Sequence, residues 1–123
     1  MRDEEWKSFI KKQRDMYEEI KSVVCPALEN KPVSFTLSGF KHLIWKGRII
    51  RPKHEQQERF LLIPLATRII KDSTHIVDYR VSIIENSHVH FWAIKGEIEG
   101  KQIRVIIRKK NDGPLHFFSV MKD

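Results

Sequence analysis

The six histidines of this 123-residue chain stand among 23 lysines and arginines and 16 aspartates and glutamates. A histidine that titrates near neutrality, set beside guanidinium and ammonium groups, can cleave RNA without a metal. One group takes the 2′-hydroxyl proton, another protonates the leaving 5′-oxygen, and cations hold the charge of the pentavalent phosphorane. His42, with Lys41, Lys46 and Arg48, offers these groups from one stretch, and Arg80, Arg104, Arg108, His116 and Ser119 offer them from another. His54 and His75 read as structural. Other chemistries lack their residues. His88 and His90 share one strand face, but no Cys, Asp or Glu stands at a spacing that would complete a tetrahedral metal site. There is no glycine-rich phosphate loop and no G-x-S-x-G elbow. The single cysteine, Cys25, precedes Pro26 and reads as an inert structural thiol, so neither a cofactor nor a metal is expected.

A formal charge of +7 with histidine neutral makes polyanions the default partner class. No run approaches the roughly 18 apolar residues of a membrane span, and the acidic start lacks the pattern of a signal peptide. A protein without a membrane partner, working in a reducing compartment, is the expectation. The length suits one domain with its own core, 1–123, composed of an N-terminal helix and link (1–30) and a core unit (33–121).

Several elements must position these groups. Trp6, Phe9, Ile10, Tyr17, Ile20 and Val24 recur at helical spacing and predict an amphipathic helix over 3–25. A brief strand comes next at 33–37, then a short helix from Gly39 to Trp45 with Ser38 as its N-cap. Residues 47–53 form a basic connector to a helix over 55–70, in which Pro64 predicts a kink or a break. Four strands then span about 75–84, 88–96, 101–109 and 115–121, with connections short enough for hairpins. The expected fold is α+β, with N-terminal helices packed on one face of a four-stranded antiparallel meander. Period-two alternation places Asp78, Arg80, Ser82, His88, His90, Trp92, Gln102, Arg104 and Arg108 on the face away from the core. The last strand adds either His116 with Phe118 or Phe117 with Ser119, unless a bulge after Pro114 brings them together. Exposed aromatic and guanidinium groups on one face suit stacked bases and phosphates.

The run Phe35 to His42, the Lys46-Gly47-Arg48 connector, the Glu58-Arg59 helix, the Ile103 to Arg108 strand and the segment His116 to Val120 resemble the phage-associated branch of the barnase, EndoU, colicin and RelE-like nuclease superfamily. The resemblance covers residues 33–121. It implies a metal-independent endoribonuclease, a toxin domain that cuts tRNA, mRNA or other RNA to a 2′,3′-cyclic phosphate. The implied site of action is cytoplasmic, reached as part of a larger toxin or phage protein. By the same resemblance His42 is the helix histidine, Arg48 the basic connector residue, Arg104 the strand arginine and Ser119 the hydroxyl of the last strand, with His116 as the neighbouring alternative. Barnase-like members use a Glu as base; no Glu falls on this sheet face, so His42 or His116 would take its place. Lys41, Lys46, Arg51, Arg80, His90, Trp92 and Arg108 are the expected substrate contacts. A cognate acidic immunity protein or antitoxin is implied as a partner. The alternatives are a non-catalytic RNA-binding module, a phage-associated interaction domain, and an enzyme acting on a nucleotide cofactor.

Overall fold

In the computed structural model, which describes residues 2–123, the helical and extended elements alternate before the strand-rich half. Helix α1 (Asp3–Ile20) carries Asp3, Glu4 and Glu5 in its first turn, where they complement the helix dipole. It stops five residues short of the predicted end. Lys21 adopts φ 60, and the β-branched Val23 and Val24 continue as strand β1 (Ser22–Cys25). A 3-10 turn (Pro26–Leu28) and left-handed Glu29 and Asn30 reverse the chain into β2 (Lys31–Ser34), antiparallel to β1.

Helix α2 (Leu37–Ile44) is capped by Thr36 rather than Ser38; the Thr36 hydroxyl accepts from Gly39 N at 3.5 Å. A tight ribbon comes after it, β3 (Trp45–Lys46) against β4 (Ile49–Ile50), where the sequence predicts only a connector. Helix α3 (Lys53–Asp72) runs through Pro64 in one span. Pro64 is exposed, so its ring lies on the solvent side of the helix and the buried stripe from Phe60 to Ile70 is uninterrupted. The long strands are β5 (Asp78–Ile84), β6 (Ser87–Ile98), β7 (Lys101–Lys110) and β8 (His116–Lys122), all antiparallel neighbours.

The four-stranded antiparallel meander is therefore overturned. The sheet has six strands in the order β1-β2-β8-β7-β6-β5, and β2 joins β8 in parallel through the pair Ser34 and His116. It is mixed because the N-terminal hairpin docks on the edge that the meander would have left open. Ser34 N donates to Leu115 O at 3.0 Å, and Phe35 N donates to Lys21 O at 2.8 Å.

Side chains paired across strands share a face. One face carries Ile94, Ile103, Val105, Ile107, Phe117 and Val120, all essentially inaccessible, and packs with Phe60, Ile63, Ala66 and Ile69 of α3 and with Phe40 and Leu43 of α2. Helix α2 is held against the sheet by a close approach. The Tyr17 hydroxyl donates to Thr36 O at 2.7 Å, and a Cβ at Gly39 would lie 2.5 Å from that hydroxyl and 2.6 Å from Phe117 O. Only glycine fits there. Position 42 of the same helix is set by that contact.

Candidate active site

The other face of the sheet carries the arginines. Cross-strand pairing puts Arg104 beside Lys95 and Met121, Ile106 beside Ala93 and Ser119, and Arg108 beside Phe91 and His116, with Arg80 opposite Phe91 on β5. A bulge lies in β8: Ile106 pairs with Ser119 but Ile107 pairs with Phe117, which leaves Phe118 as the extra residue. Phe117 turns into the core, and Phe118 turns onto the arginine face, 5.5 Å from Phe91. One strand thus presents His116, Phe118 and Ser119 together, as the two alternatives read from the sequence required a bulge to do.

The α2 to α3 segment forms a wall beside this face, and a cleft of about 440 Å³ lies between them. His42 enters from α2, its ring stacked on Phe118 at 4.3 Å. Arg51, only 5% exposed, joins the wall together. It donates through Nε to His42 O at 3.1 Å and through Nη1 to Glu55 Oε1 at 2.6 Å, and its own carbonyl accepts from Gln56 Nε2 at 2.7 Å. Arg51 Nη2 lies 3.4 Å from His42 Nε2. A guanidinium has no acceptor, so Nε2 is the unprotonated nitrogen of a neutral ring. Burial first, then the charges of Arg51, Arg59 and Arg108, lower the His42 pKa to about 4. One α3 turn further, Arg59 lies 3.6 Å from Glu55 and donates to Ser119 Oγ at 3.0 Å and to Val120 O at 3.1 Å. The Glu55 carboxyl is held below its ordinary pKa, chiefly by the Arg51 hydrogen bond, and is an anion at neutral pH.

The cleft also takes Lys46, Arg80 and Arg104. Arg104 pairs with Asp123 at 3.1 Å, and Lys95 shares that carboxylate. Arg80 and Arg108 sit over the Phe91 ring at 5.5 and 5.7 Å, and Arg108 also sits 5.3 Å from Phe118. Arg108 Nε is buried and has no hydrogen-bond partner, and among the described residues Arg108 has no carboxylate partner. Such a basic concavity can bind a phosphodiester, and an uncharged imidazole beside it can accept a proton.

Family models, curated proteins and solved structures all give no match to this chain.

The structure brings His42, Lys46, Arg51, Arg80, Arg104 and Ser119 to one cleft, with Lys41 and Arg108 behind His42 in an adjoining one. Other expected residues lie elsewhere or are engaged within the fold. Arg48 is exposed at the tip of the β3 and β4 ribbon, and Arg51 occupies the inner place expected of it. His90 and Trp92 lie on the opposite face, paired with Lys109 and Ile107, where they stack with Tyr79. Both alternating sets of β6 are apolar enough for the core, and the register with Ile107 selects the Trp92 set. Ser119 is 2% exposed, and its hydroxyl accepts from Arg59 within the fold. His116 is half-buried under Arg108 and lines neither cleft. Burial and Arg108 lower its pKa. A glutamate outside the sheet, Glu55 of α3, lines the cleft. Glu55 and Arg59 stand at i and i+4 on one side of α3, and Arg51 lies just before the start of that helix; the i, i+4 pair is the signal by which the sequence could have joined Glu55 to Arg59.

Among the described residues no group of three or more His, Cys, Asp or Glu could hold a metal ion, and no helix is long and apolar enough to cross a membrane.

Proposed function

We propose that this protein is a metal-independent endoribonuclease. The observation that carries the reading is a neutral His42 whose unprotonated Nε2 lies 3.4 Å from Arg51 Nη2, in a cleft that also contains Arg59, Arg80 and Arg104. An RNA phosphate that draws the Arg51 guanidinium onto its own oxygens would release that nitrogen and bring the 2′-hydroxyl to it. His42 takes the 2′ proton, the 2′-oxygen attacks phosphorus, and the arginines hold the phosphorane charge. Lys46 supplies the proton to the departing 5′-oxygen, leaving a 2′,3′-cyclic phosphate. Protonating an imidazole next to Arg51 is unfavourable in the free protein, and the dianionic phosphorane offsets it. Glu55 keeps Arg51 and Arg59 extended toward the cleft. Charge complementarity makes a cognate acidic immunity protein or antitoxin the favoured protein partner for the same face, as for a toxin domain.

The His42 stack on Phe118 favours a second reading, an RNA-binding module in which the imidazole is a stacking surface. Purified protein incubated with total RNA in EDTA separates the two. Discrete fragments from the natural chain, lost in a folded His42→Gln variant that still binds RNA, support cleavage. RNA bound and left intact by both supports the module.

A further inference from the structure

A second cleft, of about 400 Å³, opens on the other side of His42 and Phe118. The stacked pair is a wall common to both clefts. Trp45, 43% exposed where α2 passes into β3, faces this cleft, and so do Lys41 and Arg108. Among the described residues, two features there are incompletely satisfied. Trp45 leaves a large aromatic surface in water outside the core. Arg108 is fixed between two phenylalanine rings with a buried, unpaired Nε. In the first cleft, by contrast, Arg51 and Arg59 hold Glu55, and Arg104 holds Asp123. A group that supplies both a flat π surface and an anion would complete the second cleft.

We infer that this cleft is a nucleotide subsite for single-stranded RNA, with a base stacked on Trp45 and the adjoining phosphate on Arg108. The inference rests on the RNA reading of the neighbouring cleft and extends it: the strand crosses the His42 and Phe118 wall, with one phosphate at Arg51 and the next nucleotide beside Trp45. Stacking accepts any base, so the subsite adds affinity and sets a minimum substrate length rather than reading sequence. Trp45 is a binding residue. Its backbone N–H already caps α2 by donating to Lys41 O, which no side-chain substitution removes.

The test uses a fluorescein-labelled 2′-O-methyl hexanucleotide, which cannot be cleaved through a 2′-oxygen, titrated with the full chain by fluorescence anisotropy. Trp45→Ala is expected to raise Kd about ten-fold, the scale of one stacked base, while Trp45→Phe restores most of the affinity. Arg108→Gln should also weaken binding and flatten its salt dependence. Thermal melts show that each variant is folded. Equal affinity of Trp45→Ala and the natural chain overturns the inference, as does equal affinity of Trp45→Leu and Trp45→Phe, or no binding of the hexamer at all. Failure of the ribonuclease reading looks different. Hexamer binding that depends on Trp45, with no cutting of the matching RNA, leaves the subsite standing and removes the nuclease. RNA cut equally well by Trp45→Ala at low substrate removes the subsite alone.

Discussion

Arg51 should set the pH at which the protein loses activity in acid. The neutral His42 has its pKa lowered to about 4, with burial as the first cause and the Arg51 charge as the next. If His42 Nε2 is the base, kcat/KM for RNA stays high until the pH approaches 4 and then falls with a single ionisation, far below the ordinary histidine value. Arg51→Gln removes a positive charge 3.4 Å from that nitrogen. At such a distance the interaction is worth about 1 kcal/mol in water and about 5 at the effective dielectric of a protein surface. The lower bound corresponds to about 0.9 of a pKa unit, and the upper bound exceeds the whole depression. Burial is the larger cause and remains, so the acidic limb should move up to about 5 and stop well short of the free value. The assay is initial-rate cleavage of a fluorogenic RNA at low substrate from pH 3.5 to 8 at constant ionic strength, with folding followed by circular dichroism at each pH. A limb near 6.5 in the natural chain would rule out His42 as a base held neutral by burial and Arg51, as would a limb that Arg51→Gln leaves in place. Should Arg51→Gln fail to fold, Arg59→Gln removes the next charge and should move the limb in the same direction by less.

The same depressed pKa predicts an acid sensitivity of the fold. Below pH 6.5 the unfolded chain binds a proton at position 42 that the native state refuses, so stability falls as the pH drops toward 4. The shift is worth at most about 3 kcal/mol, and about 1 to 2 after allowance for solvent access to the half-buried ring; urea melts of His42→Gln should lack this component. Gly39→Ala drives a methyl into the Tyr17 hydroxyl and Phe117 O and should cost about 1 to 3 kcal/mol by chemical denaturation, with activity falling in step as α2 shifts. A stability within a few tenths of the natural chain would contradict that packing. Arg48→Ala should leave cleavage within about two-fold, because an exposed arginine outside the cleft contributes little, whereas Arg59→Met should lower kcat by about ten-fold or more through loss of a charge on the phosphorane. Ser119→Ala removes one acceptor from Arg59 and leaves Val120 O, so about 0.5 to 1.5 kcal/mol of stability should go, with a smaller kinetic effect than that of Arg59→Met.

Much of the sheet is legible because its strands are long and alternate. β5 to β8 fall close to their expected spans, and Arg104 and Arg108 face away from Ile103, Val105 and Ile107 as the period of two requires. The N-terminal hairpin is not legible. Val23 and Val24 continue the apolar stripe of α1, and only the left-handed Lys21 and the distant pairing of Ser34 with His116 turn residues 22–34 into strands. The faces of β6 are reversed from expectation for a different reason: Phe91 and Ala93 are as apolar as Trp92 and Ile94, so alternation cannot say which set meets the core. Register decides it. At the site, His42 is readable as a proton-transfer candidate beside cations, but its partners come from α3, and the arginine nearest it in sequence order, Arg48, points away to solvent. Trp45 gives no signal at all, because a tryptophan at the end of a short helix ordinarily closes a core.

The most direct measurement is mass spectrometry of the products from a short synthetic RNA and its 2′-O-methyl counterpart, both incubated with the protein in EDTA. Only the RNA should be cut, with 2′,3′-cyclic phosphate and 5′-hydroxyl ends, and folded His42→Gln should yield neither. Cleavage of the 2′-O-methyl strand, ends carrying a 5′-phosphate, or two intact strands after incubation with folded protein would contradict cleavage through the 2′-oxygen.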